Sequence, residues 1–184
     1  MAERQKALEL LYAHNQSPSL RSHGLAVEAA MRHIAGEWGE DAEYWGVVGL
    51  LHDVDYEQHP DEHLIHAPQI LRDAGYDEVF IHAVLSHGYT LCTDVEPTLK
   101  MEKALFAVDE LCGLITAAAY MRPSRSVNDL EVPSVKKKFK DKKFAAGVNR
   151  QIILTGCEML DITLDELIAL VIAGMRMNAA EMGL

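Results

Sequence analysis

The pair His52-Asp53 closes an apolar run, Gly49-Leu50-Leu51, and sets an imidazole nitrogen beside a carboxylate oxygen. That is the mixed donor set a divalent transition metal accepts. A second acidic residue, Asp109, falls within an otherwise apolar helical stripe that includes Leu105, Phe106, Cys112 and Gly113. A carboxylate in such a place is costly unless it is paired with a cation, either a basic side chain or a metal. Nine histidines are present, and all but His14 lie between His23 and His87. Regional enrichment of this kind is the trace a metal site leaves, with solvated surface histidine as the plainer explanation.

Helices must bring these residues together. Residues 3 to 14 place Ala7, Leu8, Leu11 and Tyr12 at helical spacing. Ser17-Pro18 reads as an N-cap followed by proline at the first helical position. The helix it opens carries His23, Val27, Ala30, Met31 and Ile34 on one stripe, so His23 faces inward near its start. From Asp41 a third helix runs to His52, with Gly46 and Gly49 permitting close approach of a neighbour. A fourth is predicted over 61–74, closed by Gly75, with His63, His66, Ala67, Ile70 and Leu71 inward. The fifth begins at Asp77 and has Phe80, Ala83, Val84 and His87 on one side, while His82 lies about 140° away around the helix. Glu96-Pro97 is the expected start of a sixth helix that carries Asp109 and ends near Met121, before Arg122-Pro123-Ser124.

A basic run follows, Lys136-Lys137-Lys138 with Lys140, Lys142 and Lys143, and then helical periods over 145–159 and 163–182. Thr163 and Glu166 form a capping box for the last of these. No segment reads as a strand, so the fold expected is an all-α, single-domain helical bundle over residues 1–184, a length that suffices for a core without disulfides.

Charge and composition exclude several functions. The formal net charge of -11 argues against general nucleic-acid binding and against an anionic membrane surface, which would repel the chain. No apolar stretch reaches the roughly 18 residues that suggest a membrane span, and the first residues lack the apolar core of a signal peptide. The three cysteines, Cys92, Cys112 and Cys157, are widely spaced, so reduced thiols and a cytoplasmic location are expected. Within this acidic chain, Arg122, Arg125, Lys136 and Lys137 are candidate contacts for the phosphate of a small-molecule phosphoester.

Taken in chain order, His23, His52-Asp53, His66, His87 and Asp109 resemble the HD superfamily of metal-dependent phosphohydrolases, an all-helical fold with a His…His-Asp…Asp signature. The resemblance covers about His23 to Asp109 and implies an HD core over 17–122 followed by a helical extension over 123–184. It implies that His23, His52, Asp53 and Asp109 ligate a divalent metal. In dinuclear members two further histidines hold a second ion bridged by the Asp of the pair. His66 and His87 are similar to those positions, with His63 and His82 as competing assignments. Many members carry Lys or Glu three residues beyond that Asp, where this chain has Tyr56, and Asp55 and Glu57 are the neighbouring carboxylates available for acid–base work.

The implied cofactor is a pair of divalent transition-metal ions, Fe, Mn, Co, Ni or Zn. The implied chemistry is attack of a metal-activated water on a nucleotide or related phosphoester, with Asp53 setting the nucleophile and Asp55 assisting. Two other readings of the same resemblance are a diiron oxygenase and a non-catalytic nucleotide-binding module.

Overall fold

The computed structural model describes residues 3–184, and among these ten α-helices and no strand are found. The first helix, α1 (Glu3–His14), leads into α2 (Pro18–Trp38), which begins where Pro18 can lack an N–H at no cost. The carboxylate of Glu57 accepts the N–H groups of Gln16 and Ser17 just ahead of α2. Glu57 is thereby committed to holding a chain junction and is not free for acid–base work. Gly39 ends α2 at φ 72°, a left-handed C-cap that favours glycine.

The third helix, α3 (Ala42–Leu51), packs against α2 at two glycines. A methyl group built on Gly49 would stand 3.1 Å from the carbonyl oxygen of Val27, and one on Gly46 would collide with the Arg32 side chain. Close backbone approach here drives the end of α3, with His52 and Asp53, into the interior.

The segment after Asp53 departs from the expected helix over 61–74. Pro60–Glu62 is a single 3-10 turn, Leu64 takes a left-handed φ of 68°, and α4 is only Ala67–Asp73. The physical reason is Pro68, which a helix tolerates in its first turn but not in its interior, so α4 cannot start much before it. Helical phase therefore relates none of His59, His63 and His66 to one another.

Two helices complete the part that bears the histidines. The shorter is α5 (Glu78–Ser86), and the longer is α6 (Lys100–Tyr120). The start of α6 lies beyond Pro97, contrary to the expected opening at Glu96-Pro97. The buried Glu102 carboxylate fixes it by accepting the N–H groups of Thr98 and Leu99. His82 also points to Glu102, at 2.7 Å, and so away from His87.

Beyond α6 come α7 (Val132–Lys140), α8 (Arg150–Leu160), α9 (Leu164–Met177) and α10 (Ala179–Met182). Residues 141–149, part of which had been expected to be helical, form a loop that Arg150 ties together by donating to the carbonyls of Phe139, Asp141, Phe144, Ala145 and Val148. The predicted capping box at Thr163 and Glu166 is present at the start of α9. These C-terminal helices are not an appendage. Gly156 lets α8 lie directly on Ala107 of α6, and Gly174 lets α9 lie on the backbone of α2 at Ala29 and Ala30. One continuous cluster of buried side chains runs from Ala7 to Met182. No described helix is long and apolar enough to cross a membrane.

Candidate metal centre

Five elements converge on Asp53. His23 comes from α2, His52 from the C-cap of α3, His63 from the irregular turn, His87 from the C-cap of α5 and Asp109 from the middle of α6. The two oxygens of Asp53 face different partners. Oδ2 lies 3.3 Å from His52 Nε2 and 3.8 Å from His23 Nε2, whereas Oδ1 lies 3.3 Å from His63 Nε2 and 3.5 Å from His87 Nε2. Asp109 joins the first group, its Oδ1 being 2.8 Å from His23 Nε2 and 3.4 Å from His52 Nε2.

The imidazoles are oriented from behind. His52 Nδ1 donates to the Gly49 carbonyl at 2.7 Å and His87 Nδ1 to the Val84 carbonyl at 2.6 Å. A carbonyl can only accept, so each Nδ1 carries the hydrogen and each Nε2 is left to present its lone pair to the centre. Asp55 does the same for His63, whose Nδ1 lies 2.9 Å from its Oδ1. The other oxygen of Asp55 accepts the N–H groups of His66 and Ala67, so one fully buried carboxylate fixes both the His63 ring and the start of α4. Asp55 therefore works as a positioning group behind His63 and does not line the cavity, in contrast to the catalytic role expected of it.

Two features show that cations suit this arrangement. His52 Nε2 is buried without a hydrogen-bond partner. His63 Nε2 and His87 Nε2 stand 3.2 Å apart, and with both Nδ1 atoms donating elsewhere two lone pairs confront each other. That spacing is close to the roughly 3.3 Å between two nitrogens bound tetrahedrally to one ion at about 2.0–2.1 Å. The electrostatics agree. Burial alone would depress the His52 imidazole, but Asp53 and Asp109 overcome it and hold its pKa well above the ordinary value. Burial would likewise raise the two carboxylates, yet the neighbouring imidazoles hold both well below the usual range.

Of the residues expected at this centre, the structure brings together His23, His52, Asp53, His87 and Asp109. His66 is not among them. Its ring turns outward, 2.8 Å from Glu62 and stacked on His59 at 3.8 Å. His63 occupies the inner position that the family resemblance assigns to His66. The overlooked signal was Pro68, which moves the helix start past both histidines.

A cavity of about 390 Å³ opens onto the centre, walled further by Tyr56, Leu91, Cys92, Glu110 and Val148. Tyr56 stands edge-on to His63. Glu110 accepts the backbone N–H of Asn149 and so ties the 141–149 loop to the rim. Burial, with Asp109 beside it, lifts the Glu110 carboxyl above its ordinary pKa. Among the described residues no lysine or arginine lines the cavity. The basic residues expected to grip phosphate lie elsewhere. Arg122 is paired with Asp129 beyond the end of α6, thirteen residues or about 20 Å from Asp109 along the helix, and Arg125 sits in the following turn at φ 52°. Lys136 is paired with Asp165, and Lys137 lies exposed on α7, whose buried face is Val135 and Phe139.

Comparison with known proteins places the residues from α2 to mid-α6 in a family. Residues 20–113 match the model of the HD domain. No curated protein and no solved structure matches the chain.

Proposed function

The chain belongs to the HD-domain family, and from that membership together with the divided donors around Asp53 we propose that it hydrolyses a phosphoester using two divalent metal ions. His23, His52, Asp53 and Asp109 would hold one ion, and His63 and His87, with Asp53, would hold the other. The observation that carries this reading is the division of Asp53, each of whose oxygens faces its own pair of imidazoles.

Bound ions supply Lewis acidity, which acidifies a water molecule and neutralises phosphoryl oxygens. The chain's own groups do the rest. The carbonyls of Gly49 and Val84 and the carboxylate of Asp55 keep three imidazoles in the tautomer that can ligate. Buried apolar residues around Leu50, Leu51 and Val84 keep bulk water from the back of the centre. Tyr56 and Glu110 are the polar side chains of the rim that an ester group meets. Among the described residues no basic side chain lines the cavity to meet a phosphoryl group, and its volume suits a mononucleotide or an ester of similar size.

The test is phosphate release from phosphomonoesters, cyclic nucleotides and dinucleoside polyphosphates by metal-stripped protein, repeated after adding Mn, Fe, Co, Ni or Zn. Turnover restored by a metal is expected in the wild type and in His66→Ala, and turnover lost in His52→Ala and His63→Ala. Oxygen consumption by an iron-loaded protein without hydrolysis would replace this reading with oxidation. Tight nucleotide binding without turnover in any metal would replace it with a regulatory module.

A further inference from the structure

The turn that delivers His63 has a second face. While His63 and Asp55 point inward, His59, Glu62 and His66 converge on the outside, with one ligand atom from each lying within 4.8 Å of the others. The backbone fixes all three. His59 N–H is bound to the Asp55 carbonyl, Glu62 N–H to the His59 carbonyl and His66 N–H to the Asp55 carboxylate. The positions are therefore set by the same hydrogen bonds that build the inner centre, and only the outer side chains are free to turn.

We propose that His59, Glu62 and His66 form a third metal site, separate from the centre around Asp53, for a transition-metal dication such as Zn²⁺, Ni²⁺ or Co²⁺. Two imidazoles and one carboxylate are a donor set such ions accept, with water completing the coordination. Glu62 and His66 already meet at 2.8 Å, and the His59 ring makes no hydrogen bond among the described residues, so its nitrogens are available. The set carries one formal negative charge, with exposed Asp61 beside it, on a chain of net charge -11. A dication is drawn to such a surface, whereas an anion is not. The stacked rings, tilted by 25°, must part for both to reach one ion. Half-exposed side chains make that rotamer change at low cost. The site takes nothing from the inner centre, since none of its three side chains lines the cavity.

The experiment is equilibrium dialysis of the full chain against zinc at neutral pH, with metal counted by elemental analysis. The proteins compared are the wild type, His59→Ala/His66→Ala, Asp53→Asn, and the combination of all three changes. One zinc fewer in the double variant than in the wild type is expected, and the same difference of one between Asp53→Asn and the combined variant. An unchanged melting temperature of the metal-free double variant shows that the fold is kept. Glu62→Gln should weaken the outer zinc by at least the roughly tenfold that losing even an outer hydrogen-bond partner costs a metal ligand. Equal zinc content in the wild type and the double variant overturns the site. The comparison in the Asp53→Asn background does so whether or not the inner centre binds two ions or catalyses hydrolysis.

Discussion

Two carboxylate sites in this molecule are surrounded by different partners, the buried Glu28 by guanidinium groups and the partly buried Asp53 and Asp109 by imidazoles. Glu28, 1% exposed, accepts from Arg4 at 2.6 Å and from Arg32 at 2.8 Å, and those guanidinium groups reach on to Glu181 and Glu43. The network ties α1, α2, α3 and α10 into one unit beside a cavity of about 440 Å³. Asp53 and Asp109 meet no guanidinium or ammonium group. They face four imidazoles, and the outer nitrogens of three of these, His52, His87 and His63, are already committed to carbonyls or to Asp55. A guanidinium is permanently charged and finishes the neutralisation of a carboxylate. An imidazole in its neutral form only adds a lone pair, so the combined site takes a cation from outside, a proton on His52 or a metal ion. The larger cavity therefore adjoins a closed ion-pair network, and the smaller one adjoins donors that suit a cation.

The sharpest way to break this comparison is to neutralise one carboxylate from each group. Asp53→Asn should abolish metal binding at the inner centre and lower phosphoester hydrolysis by about 10³-fold or more, the upper end of what one lost electrostatic stabiliser costs. Its melting temperature without metal should change little by comparison. Glu28→Gln should do the opposite. Removing one member of a buried ion pair costs about 3–5 kcal/mol, read as a lower denaturant midpoint, while the metal content stays the same. A Glu28→Gln protein that loses metal, or an Asp53→Asn protein that keeps it, would dissolve the distinction.

A smaller effect is expected behind His63. In Asp55→Asn the amide can no longer accept from His63 Nδ1 and from two backbone N–H groups as a carboxylate does, and affinity for metal at the proposed His63 site should fall about 10–100-fold in metal-competition titrations.

The smallest effect concerns pH. In the metal-free chain Asp53 and Asp109 raise the His52 pKa above its ordinary 6.5. A raised pKa contributes stability that is complete below about 6.5 and lost as pH climbs through the folded value. Metal binding needs His52 without that proton, so metal should stabilise more as pH rises. Melting temperatures measured with a chelator and with metal should therefore slope in opposite directions above neutrality. Parallel slopes would show that His52 does not ligate.

Much of this was legible in the chain because it depends on local rules. Helix starts after Asp41, Asp77 and Thr163 follow from side-chain caps that act within one turn, and the start of α2 follows from Pro18, since the expected cap Ser17 makes no side-chain cap bond. The inward faces of His23 and Asp109 follow from regular periods in long helices. The pair His52-Asp53 sits at the end of an apolar run in the sequence just as it sits at the end of α3 in the fold. The choice between His63 and His66 was not legible, because the turn that carries them is irregular and a resemblance in chain order does not fix which ring faces inward.

What the sequence indicated by itself was an all-helical fold with most of its helices and the inward faces of His23 and Asp109, since composition, period and capping are properties of neighbouring residues; the set of centre residues came from the family resemblance. What only the tertiary structure decided was which histidine completes the set, that Asp55 and Glu57 serve as braces, and that the basic residues after Arg122 stand away from the cavity. Those outcomes depend on contacts between residues distant along the chain: a carboxylate meeting the start of another helix, an arginine meeting its acid. The spacing of a sequence does not record them.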